Sequence, residues 1–367
     1  MKQTSHEPML PEGAQLRMAL RLRLPAMGSR TIGIVYELFG AYPHRVGEPP
    51  DAHVEYEPEA TILCLEEAIR RLGHRPVRLG RPHDLLAAAR TGRLLVDAAL
   101  SIAEGYGTRN REAWGPVLLD MLAIPQLGSD ALTLSASLDK AWTRTLVAAA
   151  GVAVPPGVVA RSVDEARRMD LPGGFPCFVK PRWEGSSKGI GFDSRVEGRE
   201  ALVAAVARVL ERYHQPALVE QFLPGPEYTV TLFGNDPPYA LPVLQRALET
   251  TTRIGLHAVE AKPGETAADG GAQRELAHCV PGALDAALEA ELVRLARLAF
   301  AALECRDFAR VDFKGADDGR VYFLEINPLP SFGPHGSFGT HAELLGRSID
   351  DLLAEVLAAG LRRLGLG

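Results

Sequence analysis

The stretch FARVDFKGADDGRVYFLEINP (Phe308–Pro328) decides how this chain is read. Its halves, ARVDFK and RVYFLEIN, are apolar runs of strand length, and the polar turn GADDG between them predicts a hairpin. Side chains two apart on a strand share a face, so Arg310 stands beside Asp312 and Glu325 beside Asn327. Three oxygen donors and one guanidinium can then converge across neighbouring strands. Hard donors of this kind suit Mg2+, which takes a few carboxylates together with phosphate oxygens. A surface ion pair of Arg310 with Asp312 or Glu325 would account for any one such pair. Here the polar residues are embedded in apolar strands, where uncompensated burial is costly.

Three upstream segments carry compatible chemistry. Lys180 ends the apolar run FPCFVKP and is followed by GSSKG, where glycine lets backbone approach a phosphate and serine supplies donors. The order is not that of a Walker A loop, and taken alone a Gly/Ser loop is more often a plain turn. In SLDKAW (Ser137–Trp142), Asp139 and Lys140 fall in the first turn of a predicted helix. Asp suits the positive end of the helix dipole but Lys does not, which points Lys140 to a phosphate. In LVEQFLPGPEYTV, Glu220 lies on a strand that leads into a Pro/Gly turn, and Glu227 opens the next strand. Such a hinge is a usual place for a nucleotide pocket, although two ordinary exposed carboxylates are as good an account of each residue singly.

Around these segments the chain alternates strand and helix. TIGIVY (Thr31–Tyr36) predicts a buried parallel strand. Ile62, Leu65, Ile69 and Leu72 recur at helix spacing before Gly73. Strands are expected at Arg75–Leu79, Leu95–Ala103 and Ile124–Leu127, with helices near Asp84–Arg90 and Glu112–Leu122 between them. That order implies a parallel sheet with helices on both faces. A helix at about Ser135–Ala150, a strand GVVA, a helix near Val163–Met169, a strand at Phe175–Pro181, a helix at Glu197–Tyr213 and a strand at Pro216–Leu223 make a second region. The third has strands at Tyr228–Phe233 and Tyr239–Gln245, a helix at Leu284–Leu303, the hairpin, and helices at Ala342–Leu345 and Ile349–Leu364. The segment Glu249–Val280 has no clear period and reads as a lid or as disorder.

Composition fits a soluble globular protein: 367 residues, 46% hydrophobic and 23% charged. At roughly 100–200 residues per domain the length predicts two or three domains. A net charge of -6 with no basic run argues against a nucleic-acid partner. No apolar stretch reaches the ~20 residues of a membrane span. Cys64, Cys177, Cys279 and Cys305 form no CxxC pair and read as small buried hydrophobes in a reducing compartment. Residues 1–29 read as a flexible extension or as the product of an early start, with Met18 and Met27 as alternative starts.

GSDALTLSASLDK, FPCFVKPRWEGSSKG, VEQFLPGPEYTV, ARVDF and EINPLP, in this order, resemble the ATP-grasp superfamily and within it the D-alanine–D-alanine ligases. The resemblance runs from about Thr31 to Leu364. It implies three α/β domains, the first Rossmann-like: residues 30–128, a central ATP-grasp lid domain at 129–223, and a catalytic domain at 224–367. It implies a cytoplasmic, homodimeric enzyme that joins a carboxylate to an amine through an acyl-phosphate, with amino acids as substrates. By motif, Lys140 and Lys180 contact ATP phosphates, and Gly185, Ser186 and Ser187 form the loop over them. Glu220 holds adenine, Leu223 lines the same pocket and Glu227 binds the ribose. Asp312, Glu325 and Asn327 bind two Mg2+ ions, for which Mn2+ could stand in, with Glu325 bridging. Arg310 stabilises the oxyanion of the tetrahedral intermediate, and Ser186 of the loop counts with it as a catalytic residue.

The departures from the family lie at the substrate end. A family segment of the type HG-x-x-GEDG reads AEGYGTRNREA (Ala103–Ala113) here. The early glutamate that holds the first substrate's amine follows two glycines in the family, whereas Glu37 follows Tyr36. EAKP (Glu260–Pro263) keeps Lys262, a further nucleotide contact, but lacks the family's tyrosine. Pro330 is followed by Ser331 in place of glycine, and Gly336, with Ser337 beside it, stands where a serine serves the second substrate. Two other functions compete: a ligase with a hydroxy-acid or biosynthetic-amine acceptor, the ester-forming variant having His257 as a candidate although a lone loop His is usually a solvated side chain, and a non-catalytic ATP-binding regulator. Retention of Asp312, Glu325 and Asn327 argues against the regulator.

Overall fold

The computed structural model describes residues 28–92, 94–246, 253–254 and 284–367. Most of the N-terminal extension, most of the segment Glu249–Val280, His257 and Lys262 lie outside the described residues.

Three sheets make up the chain. The first is parallel, in the order β2-β1-β3-β4, from β1 (Thr31–Val35), β2 (Arg75–Gly80), β3 (Ala98–Ser101) and β4 (Gln126–Leu127). Helix α1 (Glu59–Arg71) lays Ile62, Leu65 and Ile69 on one face, with Ile32, Ile34 and Leu100 beneath. Helices α2 (Pro82–Arg90) and α3 (Trp114–Met121) cover the other face through Leu85 and Leu119. The strand expected at Leu95–Ala103 is shorter. Asp97 leaves its line to accept the Thr31 N–H at 2.7 Å.

The single helix expected at Ser135–Ala150 is two, α4 (Ala131–Leu138) and α5 (Lys140–Ala149). Asp139 between them is extended (φ −84°, ψ 93°) and caps α5 by accepting from Ala141 N and Trp142 N at 3.2 Å each. Arg182 grips the same carboxylate at 2.7 and 2.8 Å, which holds the break open. The cap is worth on the order of 1 kcal/mol, and the break sets Lys140 at a helix start.

The second sheet is antiparallel, β5-β8-β6-β7, from β5 (Gly157–Ala160), β6 (Cys177–Pro181), β7 (Arg195–Val196) and β8 (Ala217–Gln221), with α6 (Val163–Arg168) nearby. Helix α7 (Arg199–Tyr213) packs Leu202, Val206 and Val209 against it. The third sheet runs β10-β9-β12-β13 with β11 also on β9, from β9 (Glu227–Phe233), β10 (Tyr239–Ala240), β11 (Leu244–Arg246), β12 (Phe308–Gly315) and β13 (Val321–Asn327). The strand expected over Tyr239–Gln245 is split around Pro242, which has no N–H for the ladder. Helix α8 (Ala286–Ala302) covers this sheet with Leu292, Ala299 and Phe300.

After β13, α9 (Ser337–Leu344) and α10 (Ile349–Arg363) turn back to the first sheet. Leu352, Leu353, Val356 and Leu357 share one core with Ile32, Ile62 and Leu65. Arg71 pairs with Asp350 at 3.1 Å and Asp351 at 2.5 Å. Buried Asp307, just before β12, accepts from Gly128 N at 2.8 Å, from Asn235 at 3.0 Å and twice from Arg363 at 2.7 Å. The end of the chain thus ties the first sheet to the third.

Candidate active site

The floor of the site is the third sheet. Register sets Asp312 opposite Glu325 and Arg310 opposite Asn327, with Thr229 across from Asp312 on β9. Asp312 accepts from Thr229 Oγ1 at 2.7 Å and from Arg310 Nε at 2.9 Å. Arg310 Nη2 reaches Glu325 at 3.4 Å, and Lys140 Nζ, from the start of α5, reaches its other oxygen at 2.9 Å. Burial works against the Glu325 charge, but Lys140 and Arg310 overcome it and hold the carboxyl at about 2. Asn327 Oδ1 accepts from Leu329 N at 2.9 Å.

The facing wall is the second sheet. Lys180 Nζ lies 2.6 Å from one oxygen of Glu220, and Arg144 lies 2.7 Å from the other. A cleft lies between the two sheets. Lys140, Lys180, Glu220, Glu227, Asp312 and Glu325 line it together. Phe178, Phe222, Leu223 and Ile254 supply its apolar surface, suited to a planar base. Lys314 stands 3.6 Å from Glu227 on the same cleft. Burial depresses the Lys314 pKa against the pull of Glu227.

The loop Arg182–Phe192 closes one side. Ser186 and Ser187 both have positive φ, 45° and 57°, an uncommon backbone for side chains other than glycine. Ser187 faces the cleft, while Gly185 and Ser186 line a neighbouring cavity. The Gly185 N–H, a candidate phosphate donor by sequence, is bonded instead to Glu55 at 2.9 Å. Lys188 bonds the same carboxylate and that of Glu184, and Arg111 reaches Glu55 at 2.8 Å. Asp51 accepts from Gly189 N and from the Tyr213 hydroxyl, both at 2.9 Å. The loop is thus fastened to the segment that precedes α1. Burial opposes ionisation of Glu55, but Arg111 and Lys188 bring it down to about 2.

The neighbouring cavity has about 410 Å³ of empty space and shares Lys140 and Glu325 with the cleft. Asn327 lines it, and so do Glu55, Glu104 and Glu112. Sequence reading marked AEGYGTRNREA as a departure but assigned its acids no role. The tight turn at Gly105 (φ +62°) brings Glu104 and Glu112 to one cavity; a Cβ at that glycine would meet the Arg111 carbonyl at 2.7 Å. Glu37 is not in the cavity: it is buried and accepts from Gly105 N at 2.7 Å. Glu57 is also buried, accepting from Thr61 at 2.6 Å, and burial raises its pKa against hydrogen bonds from Thr61 and Ser331. Ser337 Oγ is buried without a hydrogen-bond partner among the described residues.

Among the described residues no group of three His, Cys, Asp or Glu side chains is placed to hold a metal ion alone. Two carboxylates and an amide oxygen, facing space for a triphosphate, instead suit a cation that brings phosphate oxygens as its remaining ligands. No helix among the described residues is long and apolar enough to cross a membrane.

A cleft gripped between two antiparallel sheets, with acids on one wall, Arg310 bonded to two of them and lysines on both walls, defines an ATP-dependent carboxylate–amine ligase of the ATP-grasp class. Residues 146–358 match the family model described as D-ala D-ala ligase C-terminus. A D-alanine–D-alanine ligase of Alcanivorax borkumensis is 34% identical over 268 residues, 73% of this chain and 78% of that protein. The fold superposes on a D-alanine–D-alanine ligase from Bacillus anthracis complexed with ATP, with TM-score 0.63 and 19% identity, covering 92% of this chain and all of that one. It also superposes on the VanG D-Ala:D-Ser ligase from Enterococcus faecalis, with TM-score 0.66 and 19% identity over 90% of this chain and 99% of that one. The chain belongs to the D-alanine–D-alanine ligase family.

Proposed function

We propose that the enzyme phosphorylates the carboxylate of one small amino acid with ATP and joins it to the amine of a second. The observation that carries this is the convergence of Lys140, Lys180, Asp312 and Glu325 on one cleft, with Arg310 bonded to both acids. ATP and Mg2+ supply the phosphoryl group and the positive charge that its transfer needs. A carboxylate oxygen attacks the γ-phosphorus as ADP leaves, and the amine then attacks the acyl carbon as phosphate leaves.

The protein needs no nucleophile of its own. Asp312, Glu325 and Asn327 are the residues that would hold two Mg2+ ions, and Mn2+ would serve the same donors. Lys140 and Lys180 exchange Glu325 and Glu220 for phosphate oxygens. Leu223, Phe178 and Phe222 sandwich the base, Glu220 accepts from its amino group, and Glu227 accepts from the ribose. Arg310 stabilises the oxyanion formed when the amine adds. Ser186 and Ser187 cover the phosphates, and the clasp of Gly185 and Lys188 on Glu55 keeps water out.

The VanG relative's name pairs D-alanine with D-serine, which supports a family tolerance for different acceptors, and the altered segment after Pro330 is consistent with another acceptor here. We read the enzyme as cytoplasmic, where ATP is made, and as a homodimer. The test is release of ADP and phosphate from ATP and Mg2+ with a panel of amino acids and hydroxy acids. Release that depends on one or two compounds supports the ligase. ATP binding without release on any compound would support the regulatory alternative.

A further inference from the structure

The two lysines of the nucleotide cleft come from different elements, Lys140 from the start of α5 and Lys180 from β6. Hydrogen bonds of residues that do not line the cleft join them. The Arg182 carbonyl, two residues past Lys180, accepts from the Lys140 N–H at 3.1 Å. The Arg182 guanidinium donates to both oxygens of Asp139, the residue before Lys140, at 2.7 and 2.8 Å. Trp183 Nε1 adds a further bond to Asp139 at 3.1 Å, and Arg109 Nη1 lies 3.6 Å from the same carboxylate. Asp139 and Arg182 are 1% and 8% exposed. A helix cap needs only an oxygen that accepts from the first-turn N–H groups, and asparagine or serine supplies one. The charge of Asp139 serves Arg182 instead, in a bidentate pair of fixed geometry. It also offsets the unfavourable placement of Lys140 at the positive end of α5.

We propose that Asp139 and Arg182 are positioning residues that fix the separation of Lys140 and Lys180, so that both ammonium groups reach the phosphates of one nucleotide. The proposal rests on the ligase reading for what the lysines touch. Charge that spreads over a transferred phosphoryl group is stabilised best by groups already in place. A misplacement of about 1 Å is enough to cost about 100-fold in rate. Lys180 is set by the ladder of β6 with β8. Arg182 N bonds to Pro216 O at 3.1 Å just beyond that ladder, so Arg182 belongs to the rigid side. Lys140 has no such support of its own. Helix α4 ends at Leu138, so no continuous helix holds the direction of the first turn of α5. The clasp of Arg182 on Asp139 supplies that direction and carries the position of β6 across to Lys140. Without the carboxylate charge the carbonyl contact of Arg182 is left alone, and α5 pivots.

The test is a double-mutant cycle on the full chain between Asp139→Asn and Lys140→Met. It is read by calorimetry as the affinity for a non-hydrolysable ATP analogue with Mg2+, and as turnover of ATP. Asparagine keeps the cap and removes the charge. Lys140→Met keeps Lys180 and the apolar base pocket, so the analogue still binds it measurably. Where Lys140 is present, Asp139→Asn weakens the analogue about fivefold or more and lowers kcat about tenfold or more. With Lys140→Met already in place it changes the affinity less than about twofold, since the residue through which it acts is gone. Arg182→Gln follows the same pattern and carries the test where circular dichroism shows Asp139→Asn unfolded. Unchanged affinity in both variants, or the same loss with and without Lys140, overturns the proposal; the second is what a general loosening of the fold gives. A loss of affinity that depends on Lys140, together with no ADP release on any compound, leaves the bridge standing while the ligase reading falls.

Discussion

A buried carboxylate without a partner among the described residues should cost the protein stability, and Glu112 allows that cost to be measured. Burial pushes its pKa from the ordinary 4.5 up to about 7, with Glu55 adding to the push and Arg111, Lys188 and Lys140 opposing it; Glu104 faces the same cavity. Below pH 4.5 the carboxyl is protonated in the folded and the unfolded chain alike. Between 4.5 and about 7 the folded protein keeps a proton that the unfolded chain has released. Stability therefore falls as pH rises through this window and levels off above it. At about 1.4 kcal/mol per pH unit the loss is on the order of 3 kcal/mol. Glu112→Gln has no proton to lose. It should match the wild type at pH 5 and exceed it at pH 8.5. With an unfolding entropy of roughly 0.8 kcal/mol/K for a chain of this length, the gain is about 4 °C in melting temperature. Differential scanning fluorimetry at the two pH values, without ligands, reads it directly. A variant no more stable than wild type at pH 8.5, or equally shifted at both pH values, would show that the carboxylate is not an uncompensated charge.

Glu55 behaves in the opposite sense: its pKa is held at about 2, so the stability it contributes is present above 4.5 and is lost as pH falls toward 2. Glu55→Gln should flatten that acid limb in a melting series and destabilise the protein at pH 7 by about 3 kcal/mol or more, because Arg111 and Lys188 lose their shared partner. Asp312→Asn and Glu325→Gln should each lower ATP turnover by about 100-fold or more while circular dichroism stays native, and excess EDTA should abolish wild-type turnover; full turnover in either variant would remove it from the cation site. Asp307→Ala breaks the junction of Gly128, Asn235 and Arg363 and should cost about 3–5 kcal/mol in chemical denaturation, with no change in the affinity for ATP.

The alternation of apolar runs made the parallel first sheet readable, because a strand buried on both faces has few other sequence patterns. The hairpin is equally legible: a period of two around GADDG places Arg310 with Asp312 and Glu325 with Asn327. What could not be read was the partner of each charge. Glu220 has Lys180 and Arg144 on either side, and the three come from different segments far apart in the chain. The break at Asp139 escaped the helix period because its cause, Arg182, lies 43 residues on. The return of α10 to the first sheet is likewise a packing fact, invisible to local pattern. The Glu104–Glu112 pair left one usable trace, the departure of AEGYGTRNREA from the family segment. Its eight-residue spacing gave no face rule, because a turn at Gly105 and not a helix or strand brings the acids together.

The central claim is that a substrate carboxylate takes the γ-phosphoryl group of ATP in this cleft. An amino acid accepted in the panel, labelled with 18O in its carboxylate, tests it atom by atom. During turnover the released phosphate should carry one 18O from that carboxylate, seen as a one-bond isotope shift in its 31P spectrum. Unlabelled phosphate released at the same rate would mean that water, not the carboxylate, attacks ATP, and the account would be wrong.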